Sequence, residues 1–388
     1  MNILYLSMSF NPAKNGLYNN LVDALLGRGH SVMVVRCDTS AKSVNINTIT
    51  SNFKLLNVPA LDPFVTNKVK KGIAQISLAS SFKKAINHNL SSESYDLILY
   101  ATPPVTLASV VKYCKEKYHA KTALMLKDIF PQNAVDLGMM KKDGLIYRFF
   151  RNSERKYYKY SDYIGCMSEG NKKFVMEHNP DIDISKLDIF PNSIDVSQTF
   201  DTVFNEDKTV FIYGGNLGKP QNISLIVKIA DYYNNTNSVY FYIIGSGSQD
   251  YLLKEYVKNN DNPNLIYKEM LPQDEYESIL INADVGLISL DPRFTIPNIP
   301  SRFQSYLKMK KPVFAFTDVN TDLKDIIIEQ DCGWWCDASD FDSIVKTIDD
   351  IINNKQLQKE KGLNGFHYLL EAFDVKDNVM KLETLVNR

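Results

Sequence analysis

Histidine and cysteine are both scarce in this 388-residue chain, five of each, and neither is clustered. An odd number of scattered cysteines gives no disulfide framework, and without paired Cys or His spacings there is no zinc site to expect. Cys332 and Cys336 bracket Gly333-Trp334-Trp335, and this lone pair reads as strand packing. Long apolar runs are missing as well: no uninterrupted stretch approaches the roughly 18 residues that span a bilayer. The opening MNILYLSMSF has no basic leader, so a first strand is expected there rather than a secretory signal. A reducing, cytoplasmic setting fits these absences.

Net charge is nearly absent too, at −1, but the sum hides a division. Residues 1–193 hold 25 Lys and Arg against 16 Asp and Glu, or +9, which leaves −10 for residues 194–388. A basic half suits an anionic surface or substrate. Hydrophobic residues at 44% and charged residues at 23% are those of a globular protein, and the length favours two domains.

Strand and helix signals alternate along both halves. In the first, strands are expected at 3–6, 31–35, 95–100 and 121–126, and helices at 17–26 and 105–116. Residues 188–195, DIFPNSID, read as a strand ending in a turn, and the polar stretch 196–208 reads as a linker. Strands then recur at 210–213, 239–244, 265–267, 285–288 and 312–316, with one last helix expected over 361–385. Such alternation implies parallel sheets covered by helices, hence two doubly wound, Rossmann-like α/β domains facing across a cleft. The expected boundaries are 1–195, 196–365 and a terminal helix, 366–388, whose pattern leaves open where it packs.

Two segments of the basic half mix lysine or arginine with apolar residues. Residues 67–87 carry Lys68, Lys70, Lys71, Lys83 and Lys84 around Ile73, Ile76, Leu78 and Phe82, and residues 141–160 read KKDGLIYRFFRNSERKYYKY. Each is open to two readings, a solvated helix packed on the sheet or a helix lying against an anionic membrane face. No nucleic-acid motif accompanies the basic residues, so nucleic acid is not an expected partner.

The chain is organised around residues 209–222, TVFIYGGNLGKPQN, where an apolar run stops at glycines and yields to helical spacing. A strand, glycine turn and helix start present backbone donors to an anion, with Lys219 adding charge; equally, the glycines can serve only a tight connection. Ile244-Gly245-Ser246-Gly247 repeats the pattern, and Leu271, after the strand at 265–267, is placed to line a pocket for a flat base. In IPSRF, Ser301 falls at a helix start and Arg302 in its first turn, where a cation opposes the helix dipole unless an anion lies there. The Asp181-Ile182-Asp183 triplet sits in a polar loop and reads as solvated rather than as a metal site.

The ordered set LKDIFPQNAVDLG, ER-x-x-Y-x-x-SD, IFPNSID, YGGNLGKPQNI, IIGSGS and PSRFQSYLKMKKPVFA resembles the glycosyltransferase family 4 group, across nearly the whole chain. It is most similar to the branch that transfers deoxyamino and related sugars in bacterial surface-polysaccharide synthesis. The resemblance implies a retaining enzyme of GT-B architecture with no metal or other cofactor, and a final helix, 366–388, that crosses back to pack on the first domain. Its implied partners are a nucleotide-sugar donor in the second domain and a lipid-diphosphate-linked glycan acceptor in the first, at the inner face of the cytoplasmic membrane. Asn15 and Gly16 match the acceptor-side loop, and Asp128 matches the polar residue facing the reaction centre. Gly215, Asn216, Gly218 and Lys219 match the donor phosphate loop, and Ser301 with Arg302 matches the serine-basic pair beside the diphosphate. Asp128, Lys219 and Arg302 are therefore the expected catalytic residues. The chain departs from the family where two glutamates are usual: Pro297 and Ser305 stand there, Ser305 at the ribose-holding place, and Lys310 replaces a glycine. Two alternatives follow, a nucleotide-sugar epimerase of the same architecture and a non-catalytic partner subunit.

Overall fold

The computed structural model describes residues 1–13, 16–60 and 77–388 in full and residues 68–76 by their backbone. The chain divides into two units, Met1–Asp195 with Val375–Arg388, and Val196–Asp374.

The first unit is built on eight strands: β1 Asn2–Ser7, β2 Ser31–Asp38, β3 Asn45–Thr50, β4 Phe53–Pro59, β5 Leu97–Ala101, β6 Lys121–Leu126, β7 Tyr163–Cys166 and β8 Leu187–Ile189. Their spatial order is β3-β4-β2-β1-β5-β6-β7-β8. All neighbours are parallel except β3 on β4, so this sheet is mixed rather than wholly parallel. The reason lies in composition. β5 reads LILYA and is buried throughout, as a central parallel strand covered on both faces must be. β3 reads NINTIT, is exposed at every position, and closes the edge as a hairpin that periodicity does not announce.

The second unit carries β9 Thr209–Asn216, β10 Val239–Ser246, β11 Leu265–Lys268, β12 Val285–Ser289, β13 Val313–Thr317 and β14 Gly333–Asp337. Their order is β11-β10-β9-β12-β13-β14, parallel throughout. The two units thus realise the doubly wound α/β class expected of the GT-B fold. In each sheet the parallel strands wind outward in both directions from one point, between β1 and β5 in the first and between β9 and β12 in the second. Loops leaving the strands' carboxyl ends at such a reversal of winding splay apart and form the usual ligand crevice of an open α/β sheet.

Two expectations change and one open reading narrows. The last helix is two helices, Lys355–Ala372 and Val375–Asn387, interrupted at Phe373-Asp374. Phe373 is buried and its ring meets those of Phe303 and Tyr368 edge-on, so the chain turns where an aromatic anchor seats rather than continuing the helix. The second of these helices belongs to the first unit, where Asn378 donates to Pro191 O at 3.0 Å and to Ser193 Oγ at 2.6 Å. Residues 196–208 have no helix or strand yet are pinned within the second unit. The buried Lys311 ammonium donates to Val203 O at 2.7 Å and to Ile281 O at 2.8 Å, and burial lowers its pKa to about 8. Finally, the basic segment at 67–87 forms the helix Lys68–Asn89, and its Leu78 and Phe82 are buried in the core. The side chains of Lys68, Lys70, Lys71, Ile73 and Ile76 lie outside the described residues.

Candidate functional site

In the second unit the loop after β9 and the segment after β12 meet at the strand reversal. Asp291 N donates to Pro220 O at 2.9 Å, which holds the two loops together. Lys219 stands in the 3-10 turn Lys219–Gln221, near enough to the Asp291 carboxylate to help lower its pKa, although the Arg293 guanidinium at 2.5 Å is that carboxylate's closest cation.

Arg302 opens the helix Arg302–Lys308, and its guanidinium carbon lies 4.1 Å from the centre of the Tyr213 ring. A Cβ placed on Gly215 would stand 3.4 Å from Arg302 Nη2, so the guanidinium covers the bare backbone of the glycine turn. Tyr276 and Tyr306 lie close by. Tyr306 OH donates to Leu287 O at 3.1 Å and accepts from Gly214 N at 3.3 Å, while Tyr213 OH donates to Asn216 O at 2.7 Å. Burial raises the pKa of all three phenols, that of Tyr276 to about 12, so at neutral pH none supplies a countercharge. Among the described residues Arg302 has no carboxylate partner, and its buried Nη1 makes no hydrogen bond. A cation kept out of water without an anion is costly unless a ligand brings one. Gln304 on the same helix is also fully buried with both amide atoms unpaired.

The glycines divide by cause. Gly245 is at φ +157°, and a Cβ there would fall 1.8 Å from Gly215 O; a Cβ on Gly247 would meet Leu217 O at 2.5 Å. These two glycines let the loop after β10 lie directly under the loop after β9. Leu217 N reinforces that contact by donating to Ser246 O at 3.1 Å, and Met270 N, beside Leu271, donates to Ser246 Oγ at 3.2 Å. The loops after β9, β10 and β11 are thereby stitched into one row. Two backbone donors of the glycine turn are already engaged within the protein. Gly218 N donates to Gln221 Oε1 at 3.0 Å, beside the Asn216 side-chain Nδ2 at 3.1 Å, and Gly214 N donates to Tyr306 OH at 3.3 Å. Ser301 is exposed just before Arg302, and Ser305 is half-buried three residues after it. Lys310, at the usual glycine position, is left-handed with φ +52°, a conformation glycine adopts without steric cost.

In the first unit Asp128 follows β6. Its backbone N–H and that of Lys127 both donate to Thr102 Oγ1, at 3.2 Å and 3.1 Å, which ties the ends of β5 and β6 together. Desolvation raises the Asp128 pKa from 3.8 to about 6 against the opposing hydrogen bond from Asn133. Lys127 donates to Phe190 O and Pro191 O, both at 3.2 Å, and burial lowers its pKa to about 7. Tyr18, on the helix that Gly16 precedes, is half-buried and feels the Asp128 carboxylate, so the Gly16 and Asp128 segments converge at the β1–β5 reversal. Gly16 is extended, with its nearest neighbour, Asn19 Oδ1, 3.7 Å from a Cβ placed there, so no backbone constraint demands glycine. Asn15 lies outside the described residues. Asp181 and Asp183 are exposed, and Asp183 accepts from Ser185 N at 3.1 Å as a turn cap.

Sequence reasoning missed Tyr276, Tyr306, Gln221, Lys127 and Tyr18. Tyr276 and Tyr306 are separated from the glycine turn by 60 or more positions, and no local pattern distinguishes them from core tyrosines.

Residues 197–368, most of the second unit, match the family Glycosyl transferases group 1. A probable glycosyltransferase, WbjE of Pseudomonas aeruginosa, is 25% identical over 291 residues, 73% of this chain and 72% of its own. Among solved structures, sucrose-phosphate synthase from Thermosynechococcus elongatus superposes with a TM-score of 0.76 at 13% identity, covering 100% of this chain and 98% of its own. Anabaena HepE in complex with UDP-glucose does so with a TM-score of 0.70 at 13% identity, covering 100% of both chains.

Proposed function

We propose that the chain is a glycosyltransferase that moves a sugar from a nucleotide-sugar donor to a lipid-diphosphate-linked glycan during surface-polysaccharide assembly. The observation that carries this reading is Arg302: a guanidinium half withdrawn from water, without a carboxylate, covering a glycine turn at the strand reversal of a domain that matches Glycosyl transferases group 1. Breaking a sugar–diphosphate bond sends the electron pair to the leaving phosphate oxygen and leaves positive charge on the sugar ring. Arg302 and Lys219 stabilise the growing negative charge, and one well-placed donor of this kind is worth about 3 kcal/mol of barrier. No metal enters this scheme, in which Lys219 and Arg302 are the two cations that meet the diphosphate.

Asp128 orients the acceptor hydroxyl and accepts its proton as the new glycosidic bond forms. A carboxylate with a pKa of about 6 is ionised at neutral pH yet basic enough for that task. Ser305, in place of a ribose-binding carboxylate, offers a neutral hydroxyl, so recognition of the nucleotide leans on the diphosphate. Retention of anomeric configuration and a deoxyaminosugar or hexose donor are the further terms of the proposal.

The test is transfer from a panel of nucleotide sugars to a lipid-linked glycan fraction, with and without EDTA. Transfer that survives EDTA supports the scheme. Interconversion of nucleotide sugars without an acceptor selects the epimerase instead, and no binding of any nucleotide selects a non-catalytic partner.

A further inference from the structure

The helix Leu145–Tyr160 packs one side against the first unit, where Glu154, Tyr157 and Tyr158 are buried and Tyr157 OH donates to Pro104 O at 2.8 Å. Its other side is unusual at the first turns. Leu145 is 86% exposed, Ile146 65% and Phe149 46%, and Met139 in the preceding loop is 53% exposed. At 3.6 residues per turn, Leu145 and Phe149 fall on one stripe with Ile146 flanking it, opposite the buried residues. Scattered exposed apolar side chains need no explanation, but three on the first two turns of one helix form a patch.

Charge surrounds that patch with one sign. Lys141, Lys142 and Arg148 border it, and Arg155, Lys156 and Lys159 continue along the exposed side of the helix. Asp143 is the one exposed carboxylate between residues 139 and 160, since Glu154 is buried against Arg151 at 2.5 Å. Apolar residues ringed by cations suit a surface that is apolar inside and anionic outside, which describes an anionic bilayer. A second copy of this chain is disfavoured on the same patch, because it would set six cations against six.

We propose that the Leu145, Ile146 and Phe149 patch is the membrane-docking surface of this chain, inserting its apolar side chains at the headgroup boundary while the flanking cations meet anionic lipid. The proposal deepens the glycosyltransferase reading and rests on it for its purpose, since a lipid-linked acceptor must be met at a membrane. It also locates docking on this helix rather than on Lys68–Asn89, whose Leu78 and Phe82 are turned into the core.

The test is sedimentation of the full chain with vesicles of phosphatidylcholine alone and with about one third phosphatidylglycerol. Wild type is expected to bind the anionic vesicles. The variant Leu145→Ser with Ile146→Ser and Phe149→Ser should bind more than about tenfold more weakly. Lys141→Gln with Lys142→Gln and Arg148→Gln should lose about fivefold per cation and flatten the salt dependence. The thermal midpoint of the glutamine variant should match wild type because its altered side chains are exposed, and that of the serine variant should fall only slightly, through the lost edge-on contact of Phe149 with Phe150. Unchanged vesicle binding by the serine variant would overturn the proposal. So would a wild-type dimer that the serine variant dissolves, which would assign the patch to a second copy. Nucleotide-induced thermal shifts measured without vesicles should be the same in all three proteins. Vesicle binding without any such shift would remove the transferase reading while leaving the docking surface in place.

Discussion

Replacing Arg302 with methionine should move stability and activity in opposite directions. The guanidinium packs on Tyr213 at 4.1 Å and has an unpaired, buried Nη1. Keeping a charge from water without an anion costs several kcal/mol when burial is complete, and less here because the side chain is only half-buried. Contact with the tyrosine ring returns about 0.5–2 kcal/mol. Methionine keeps the stem packing and removes the charge, so the ligand-free protein should gain about 1 kcal/mol, or about 2–4 °C in thermal midpoint. The same change removes a donor from the leaving diphosphate and should lower kcat/KM by about 10²–10³. Differential scanning fluorimetry reads both sides. Wild type with a nucleoside diphosphate at about 100 times its Kd should gain about 2.7 kcal/mol, a shift that Arg302→Met should largely lose. If Arg302→Met is less stable than wild type and still shifts fully with nucleotide, the guanidinium is a packing element and the reasoning fails.

Asp128 makes a pH prediction. Its folded pKa of about 6 lies above the ordinary 3.8, so the stability linked to its protonated form is present at low pH and lost as pH rises through about 6. Asp128→Asn should therefore melt higher than wild type at about pH 8 and no higher at about pH 3, while transfer falls by about 10²–10⁴. In wild type, kcat/KM should decline below about pH 6, and an unchanged rate down to about pH 4 would remove Asp128 as the base. Gly245→Ala puts a Cβ 1.8 Å from Gly215 O, and the backbone can only yield by moving the glycine turn. A loss of about 1–3 kcal/mol by denaturant unfolding, with a weakened nucleotide shift, is expected; wild-type stability would contradict the stitched-loop account.

Central strands were the most legible part of the sequence, because β1, β5, β9 and β12 are runs of buried aliphatic and aromatic residues bounded by turns. β3 was hidden because an exposed edge hairpin of Asn and Thr carries no hydrophobic period. The break at Phe373-Asp374 was hidden because neither residue is a helix breaker and the turn is set by tertiary seating of Phe373. In the site, Gly215, Lys219 and Arg302 stood out as glycine and charge in a short motif. The amides of Gly214 and Gly218 could not be recognised as occupied, since the groups that take them are the Tyr306 phenol, 92 residues from Gly214, and a Gln221 side chain whose rotamer no pattern fixes.

The central claim is that this chain transfers a sugar from a nucleotide donor. The most direct measurement is incubation of the purified chain with labelled nucleotide sugars and lipid-linked glycan in EDTA, followed by extraction of the lipid product. The account predicts label in the lipid fraction for wild type, with stoichiometric release of nucleoside diphosphate, and at least about a hundredfold less for Arg302→Met. Folded wild-type protein that binds a nucleotide sugar yet gives label only in an epimerised donor would contradict it.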